Sequence, residues 1–171
     1  MSRSNPLKRK PRSTWHTTLI VVEGETDAAF LKHLKIHFGR DSGSRITVKS
    51  PPGNSDAVLK SAIDSFEAFD RRVALYDNDR PPQEKHLKAA HRKKIQILTC
   101  TPCIEGLLLE ILGENPSSIS ADCKSRLKMR IGQSLTHLQT YQRHFSKELL
   151  IERASEIELL AQILRLFHVT L

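Results

Sequence analysis

The sequence predicts an α/β fold: a Rossmann-like sandwich whose four-stranded, mainly parallel sheet is flanked by helices, followed by a helical C-terminal extension. Three observations carry this. Four short runs that suit strands, the first of them β-branched and continuously apolar, recur between residues 17 and 98. A stretch with helical apolar spacing follows each of them, and strand–helix repeats of this kind close into a parallel sheet through right-handed crossovers. Beyond Asn115 the strand signal disappears.

The first run, Thr17-Thr18-Leu19-Ile20-Val21-Val22, is continuous and apolar, as suits a strand buried on both faces. Thr26 is placed to cap the next helix, in which Phe30, Leu31, Leu34 and Phe38 share one face and Gly39 stands at the end. Arg45 to Lys49 alternates cleanly and reads as a strand nearer an edge, with the Pro51-Pro52-Gly53-Asn54 loop after it. A second helical stripe runs through Val58, Leu59, Ala62, Ile63, Phe66 and Phe69. Val73 to Tyr76 is a third, buried strand, and Gln83 to Arg92 a basic helix. Ile95 to Leu98 is the fourth strand. Thr101-Pro102 offers a capping residue followed by proline at the first helical position, opening a leucine-rich helix that stops at Gly113. In the extension, Leu149 to Phe167 is amphipathic, with a capping box expected at Ser155 and Glu158. The division expected is a basic arm over 1–14, an α/β domain over 15–114, and a helical extension over 115–171 packed on the same domain.

Composition narrows the function. The chain has 171 residues, 39% of them hydrophobic, enough for one folded core. No apolar stretch approaches the roughly 18 residues that span a bilayer, and the N-terminus lacks the apolar segment of a secretory signal. Three cysteines do not make a disulfide scaffold, so a cytoplasmic setting is the default. The net charge is +8, and five cations without an acid fall in the first 16 residues (Arg3, Lys8, Arg9, Lys10 and Arg12). A basic chain of this kind makes nucleic acid a candidate partner.

The carboxylates carry the chemistry. Ligands bind open parallel sheets at the C-terminal ends of the strands. The first strand runs into Glu23-Gly24-Glu25-Thr26-Asp27, and the third into Asp77-Asn78-Asp79. If those strands are neighbours, Glu23 faces Asp77 and Asp79. Such crowding is tolerated when a divalent cation neutralises it, and hard oxygen donors select Mg²⁺ or Mn²⁺. Gly24 leaves room for a phosphate to approach the main chain. Either acidic cluster alone also reads as first-turn or turn-forming residues; the two together, each after a buried strand, favour a site.

This pair of motifs resembles the Toprim domain of topoisomerases, bacterial primases, ribosomal RNA maturation nucleases and OLD-family nucleases. Those domains carry a glutamate-glycine-x-x-aspartate turn after the first strand and an aspartate-x-aspartate after the third. The likeness is greatest to small RloB-like and OLD-like Toprim proteins of bacterial defence loci, whose proline-cysteine-aromatic-glutamate segment corresponds to Pro102-Cys103-Ile104-Glu105, with Ile104 in the aromatic place. It covers about residues 17–112. The chain lacks room for a topoisomerase tyrosine domain or a primase zinc module, which leaves a nuclease or a Toprim fold that binds without cutting.

The resemblance implies a Mg²⁺- or Mn²⁺-dependent nucleic-acid phosphodiesterase, of a defence system or of rRNA or tRNA maturation. Asp77 and Asp79 would hold the metal. Glu23 would complete the shell or act as general acid or base. Asp27 and Glu105 are candidates for a second metal. Phosphate contacts are expected from Arg80, Lys85, His86, Arg92, Lys93, Lys94, Arg143 and His144. DNA and RNA remain open as substrates, as do monomer and homodimer. No P-loop is present, so a separate ATPase subunit is the expected protein partner. The Cys100-x-x-Cys103 pair lacks a second pair for zinc. His33 and His37, without a third ligand, read as surface residues. Of the two tyrosines, only Tyr141 lies where a nucleophile could.

Overall fold

The computed structural model describes residues 16–40 and 43–171; the expected basic arm and Trp15 lie outside them. The strands are β1 (His16–Val22), β2 (Ser44–Lys49), β3 (Arg71–Asp77) and β4 (Gln96–Cys100). They form one sheet in the order β2-β1-β3-β4, and every pairing is parallel. The helices are α1 (Glu25–Phe38), α2 (Ser55–Ile63), α3 (Glu84–Arg92), α4 (Ile104–Ile111), α5 (Ser120–Ile131), α6 (Leu138–His144), α7 (Lys147–Ala154) and α8 (Glu158–Arg165). No helix among the described residues is long and apolar enough to cross a membrane.

The sheet separates two cores of unequal size. Ile20, Val22, Val73 and Leu75 face a large layer built by α1, α4 and the C-terminal helices. Their alternating neighbours Leu19, Val21, Ala74 and Tyr76 face α2 and α3. The extension shares the large core: Cys123, Leu127, Tyr141, Phe145, Leu150 and Leu164 are buried with Phe30, Leu34 and Leu108. Tyr141 packs tilted and Phe145 edge-on against Phe30, with ring centroids 5.9 and 6.3 Å away. Burying each such ring is worth roughly 1.5–3 kcal/mol.

Five local expectations are corrected, three of them by a tertiary contact. The second helix ends at Ile63 and does not reach Phe69; Phe66 projects fully into solvent. The chain leaves the helix because Asp70 must reach β1, where its Oδ2 accepts from the backbone N–H and hydroxyl of Thr17 at 2.7 and 2.9 Å. The first helix opens at Glu25 on Gly24, so Thr26 is already inside it. The fourth helix begins at Ile104, past Thr101 and Pro102, because Asp77 Oδ1 accepts the Ile104 N–H at 2.9 Å and supplies the cap from another strand. Ser155 closes α7, its hydroxyl donating to Glu152 O at 2.7 Å, and so cannot open α8. His33 is fully buried under α6, its Nε2 2.7 Å from Phe145 O as donor.

Candidate metal centre

The register of β1 and β3 brings the two acidic motifs to one rim. Val22 lies level with Leu75, so Glu23 emerges beside the last residues of β3. The Asp77 N–H donates to Glu23 Oε2 at 3.3 Å. Asp77 lies level with Cys100, so the turn from β4 into α4 passes the same point. Asp77, Cys103 and Glu105 each offer a ligand atom there, all within 4.8 Å of one another. Asp27, in the first turn of α1 and 3% exposed, stands outside that close trio but near enough to feel the charges of Asp77, Glu105 and Glu23; Glu105 is 7% exposed.

Two buried oxygens in this cluster, Asp27 Oδ1 and Glu105 Oε2, have no hydrogen-bond partner. Buried acceptors are normally satisfied, because an orphan costs about 1–3 kcal/mol or more. A Cβ at Gly24 would stand 2.9 Å from Asp27 Oδ2, so any larger residue there would displace that carboxyl. Both orphans are hard carboxyl oxygens, and a hard divalent cation fits them.

Electrostatics shows how the crowding is relieved without a cation. Burial, then the neighbouring Asp77 carboxylate, pushes Asp27 up to about 8. Burial pushes Asp77 up to about 7, with Glu105 and Glu23 adding to it against the Ile104 N–H and Lys124. Glu23 is raised by burial and by Asp79, and restrained by the Asp77 N–H, Lys124 and Arg80. At neutral pH the cluster therefore holds protons that a cation would displace. Cys103 is also protonated, burial holding its thiol at about 12.

Asp79 is exposed at the mouth, where the Ser120 hydroxyl donates to its Oδ2 at 2.7 Å. Arg80 is held nearby. Its carbonyl accepts from Ser55 Oγ at 2.7 Å, and Asp56 Oδ1 pins the following residues through Gln83 N–H at 2.8 Å and His86 Nδ1 at 2.6 Å. Lys124, on α5, is a cation that the sequence pattern does not single out. Partial burial alone would pull its ammonium down, but Glu105 and Asp77 outweigh that and hold it above its ordinary value. Nothing in the polar run 117–135 distinguishes Lys124; only the docking of α5 on α4 does. Cys103 is a second unexpected member, although it stands two residues before Glu105.

The other expected phosphate contacts are dispersed. Lys85 is exposed on the first turn of α3. Arg92, Lys93 and Lys94 sit at the opposite rim, where α3 has returned to the start of β4. Six residues of nearly extended chain separate Lys94 from Cys100, about 20 Å, and Lys93 Nζ instead donates to Ile63 O at 2.9 Å. Arg143 and His144 end α6, which lies on α1, and neither pairs with a carboxylate among the described residues.

No family model matches this sequence, and no curated protein does. A crystal structure of the hypothetical protein PH0156 from Pyrococcus horikoshii OT3 is similar over 88% of this chain and 98% of that one, at 18% identity and a TM-score of 0.48.

Proposed function

We propose that this chain is a Mg²⁺- or Mn²⁺-dependent nucleic-acid phosphodiesterase, a nuclease of Toprim type. The observation that carries the reading is the pair of orphaned, buried oxygens, Asp27 Oδ1 and Glu105 Oε2, in one cluster with Asp77 and Glu23. Asp77, Asp27 and Glu105 would hold the cation, with Asp79 and Glu23 at its open side. When bound, such a cation neutralises the scissile phosphate and activates water.

The chain's own groups supply the rest. Glu23 is half-buried with a raised pKa and fixed by the Asp77 N–H, the properties of a residue that gives or takes a proton at the phosphate. Lys124 and Arg80 both act electrostatically on Glu23, and in this reading they would meet charge developing on the phosphate. A setting in a bacterial anti-phage system with a separate ATPase subunit rests on the resemblance of the motifs.

The test is incubation with plasmid, single-stranded DNA, tRNA and rRNA under Mg²⁺, Mn²⁺ or EDTA. Cutting that needs metal and is lost in Asp77→Asn supports the reading. Cutting in EDTA, or an Asp77→Asn chain as fast as the parent, overturns it. Salt-sensitive binding without cutting makes the chain a binding subunit instead.

A further inference from the structure

Beside Glu105 the site opens into a cleft of about 620 Å³. Glu105 forms one end. Lys124 and Lys128 line one wall from α5, and Gln133 and Ser134 line the other from the loop that follows. Gly132, with φ of 65°, turns the chain back at the end of α5 so that this loop faces the helix it has left. The loop is preformed: Thr140 Oγ1 donates to Ser134 O at 2.7 Å, and Leu135 beneath it packs on the large core.

The charges along the cleft are ordered. The carboxylates lie at the inner end, Lys124 acts on them directly, and Lys128 follows one helical turn outward. Lys128 is exposed and forms no ion pair with a described residue. Side chains four apart on a helix are neighbours, with Cβ atoms about 5–6 Å apart. A ligand matching this cleft places one anion at the carboxylate end, where a cation would receive it, and repeats the anion one step outward. A phosphodiester strand has that repeat; a lone phosphate does not. The volume lies within the roughly 300–1,000 Å³ of small-ligand sites, which admits an unstacked nucleotide and not a duplex. Gln133, with an amide that both donates and accepts, faces the same space and can meet base edges that only an unstacked strand exposes.

We propose that this cleft is a subsite for a single-stranded polynucleotide. Lys128 takes the phosphate next to the one at the carboxylates, and Gln133 meets the unstacked base. The inference deepens the nuclease reading and rests on it for the direction of the strand.

The test is fluorescence anisotropy of the full chain in EDTA, with labelled DNA and RNA single strands of about 12 nucleotides and a matching duplex, across a salt series. Lys60→Glu, the same charge change on the exposed face of α2 across the sheet, is the control. Lys128→Glu is expected to weaken both single strands about tenfold and to lower the salt slope by about 0.7 for each phosphate no longer neutralised. Lys60→Glu should leave affinity within about twofold, and Gln133→Ala should weaken single strands and not the duplex. The strand bound more tightly identifies the source, DNA or RNA. Equal losses in Lys128→Glu and Lys60→Glu, or a duplex preference untouched by Lys128→Glu, overturn the subsite. Cleavage assayed in parallel separates the two claims. A chain that cuts with metal while its binding ignores Lys128 loses the subsite and keeps the nuclease reading. One that never cuts yet binds through Lys128 keeps the subsite and loses that reading. Lys128 is exposed, and an unchanged melting temperature verifies that its variant folds.

Discussion

The backbone N–H of Asp77 donates to Glu23 Oε2 across the β1–β3 pair at 3.3 Å. One strand thus orients the acid that ends the other, and the sheet itself sets the spacing of the two motifs. Glu23→Gln preserves this bond, since the amide oxygen still accepts, but removes the titratable proton. Metal-dependent cutting is expected to fall by at least about 10²-fold with little change in melting temperature. Initial rates beside a thermal melt read both, and a Glu23→Gln chain at parental rate would exclude Glu23 from the chemistry.

Asp27 gives the metal-free protein a pH-dependent stability. Its pKa is 3.8 when unfolded and about 8 when folded. Between those values the folded chain keeps a proton that the unfolded chain has lost. The stabilisation is complete below about pH 4 and is lost as pH rises to about 8, at up to roughly 1.4 kcal/mol per pH unit. Asp77 adds the same sign up to about 7. In EDTA the melting temperature should fall from mildly acidic to mildly alkaline pH. Mg²⁺ should restore more of it at the alkaline end. Asp27→Asn, neutral throughout, should flatten the EDTA profile and blunt the Mg²⁺ response. A melting temperature that rises with pH in EDTA would contradict the buried cluster.

Cys103 brings a thiol within 4.8 Å of the Asp77 and Glu105 oxygens. Hard Mg²⁺ has little use for sulfur, whereas soft Cd²⁺ seeks it. Cys103→Ser is expected to keep Mg²⁺-supported activity within about threefold and to lose the ultraviolet charge-transfer band that Cd²⁺ gives with a thiolate. A Cd²⁺ band that survives the substitution would place the softer ion elsewhere.

Tyr141 is a structural residue. It is fully buried, its phenol is held well above the ordinary value by burial, and its hydroxyl donates to Thr26 O at 3.1 Å. Tyr141→Phe should lower stability by about 1 kcal/mol and leave cutting intact. Tyr141→Ala should cost about 3–5 kcal/mol. Denaturant melts measure both, and loss of cutting in a well-folded Tyr141→Phe would return the tyrosine to the chemistry.

The sheet was legible because β1 and β3 are buried on both faces and their uninterrupted apolar runs say so. The juxtaposition of Glu23 with Asp77 was legible only on the condition that the first and third strands are neighbours; the pairing of β1 with β3 meets that condition. Long-range contacts were not legible. Asp77 caps α4 from another strand, which no pattern around Thr101-Pro102 shows. The basic residues misled because charge along a chain does not say which rim a helix ends on: α3 carries Lys93 and Lys94 away from the acids. Lys124 arrives on a helix whose local sequence resembles any solvated surface.

The most direct measurement is the anomalous difference map of a crystal soaked in Mn²⁺. A peak bonded to oxygens of Asp77 and Glu105, with Asp27 beside it, is the expected result. A fully soaked crystal with no peak among those carboxylates would contradict the metal centre.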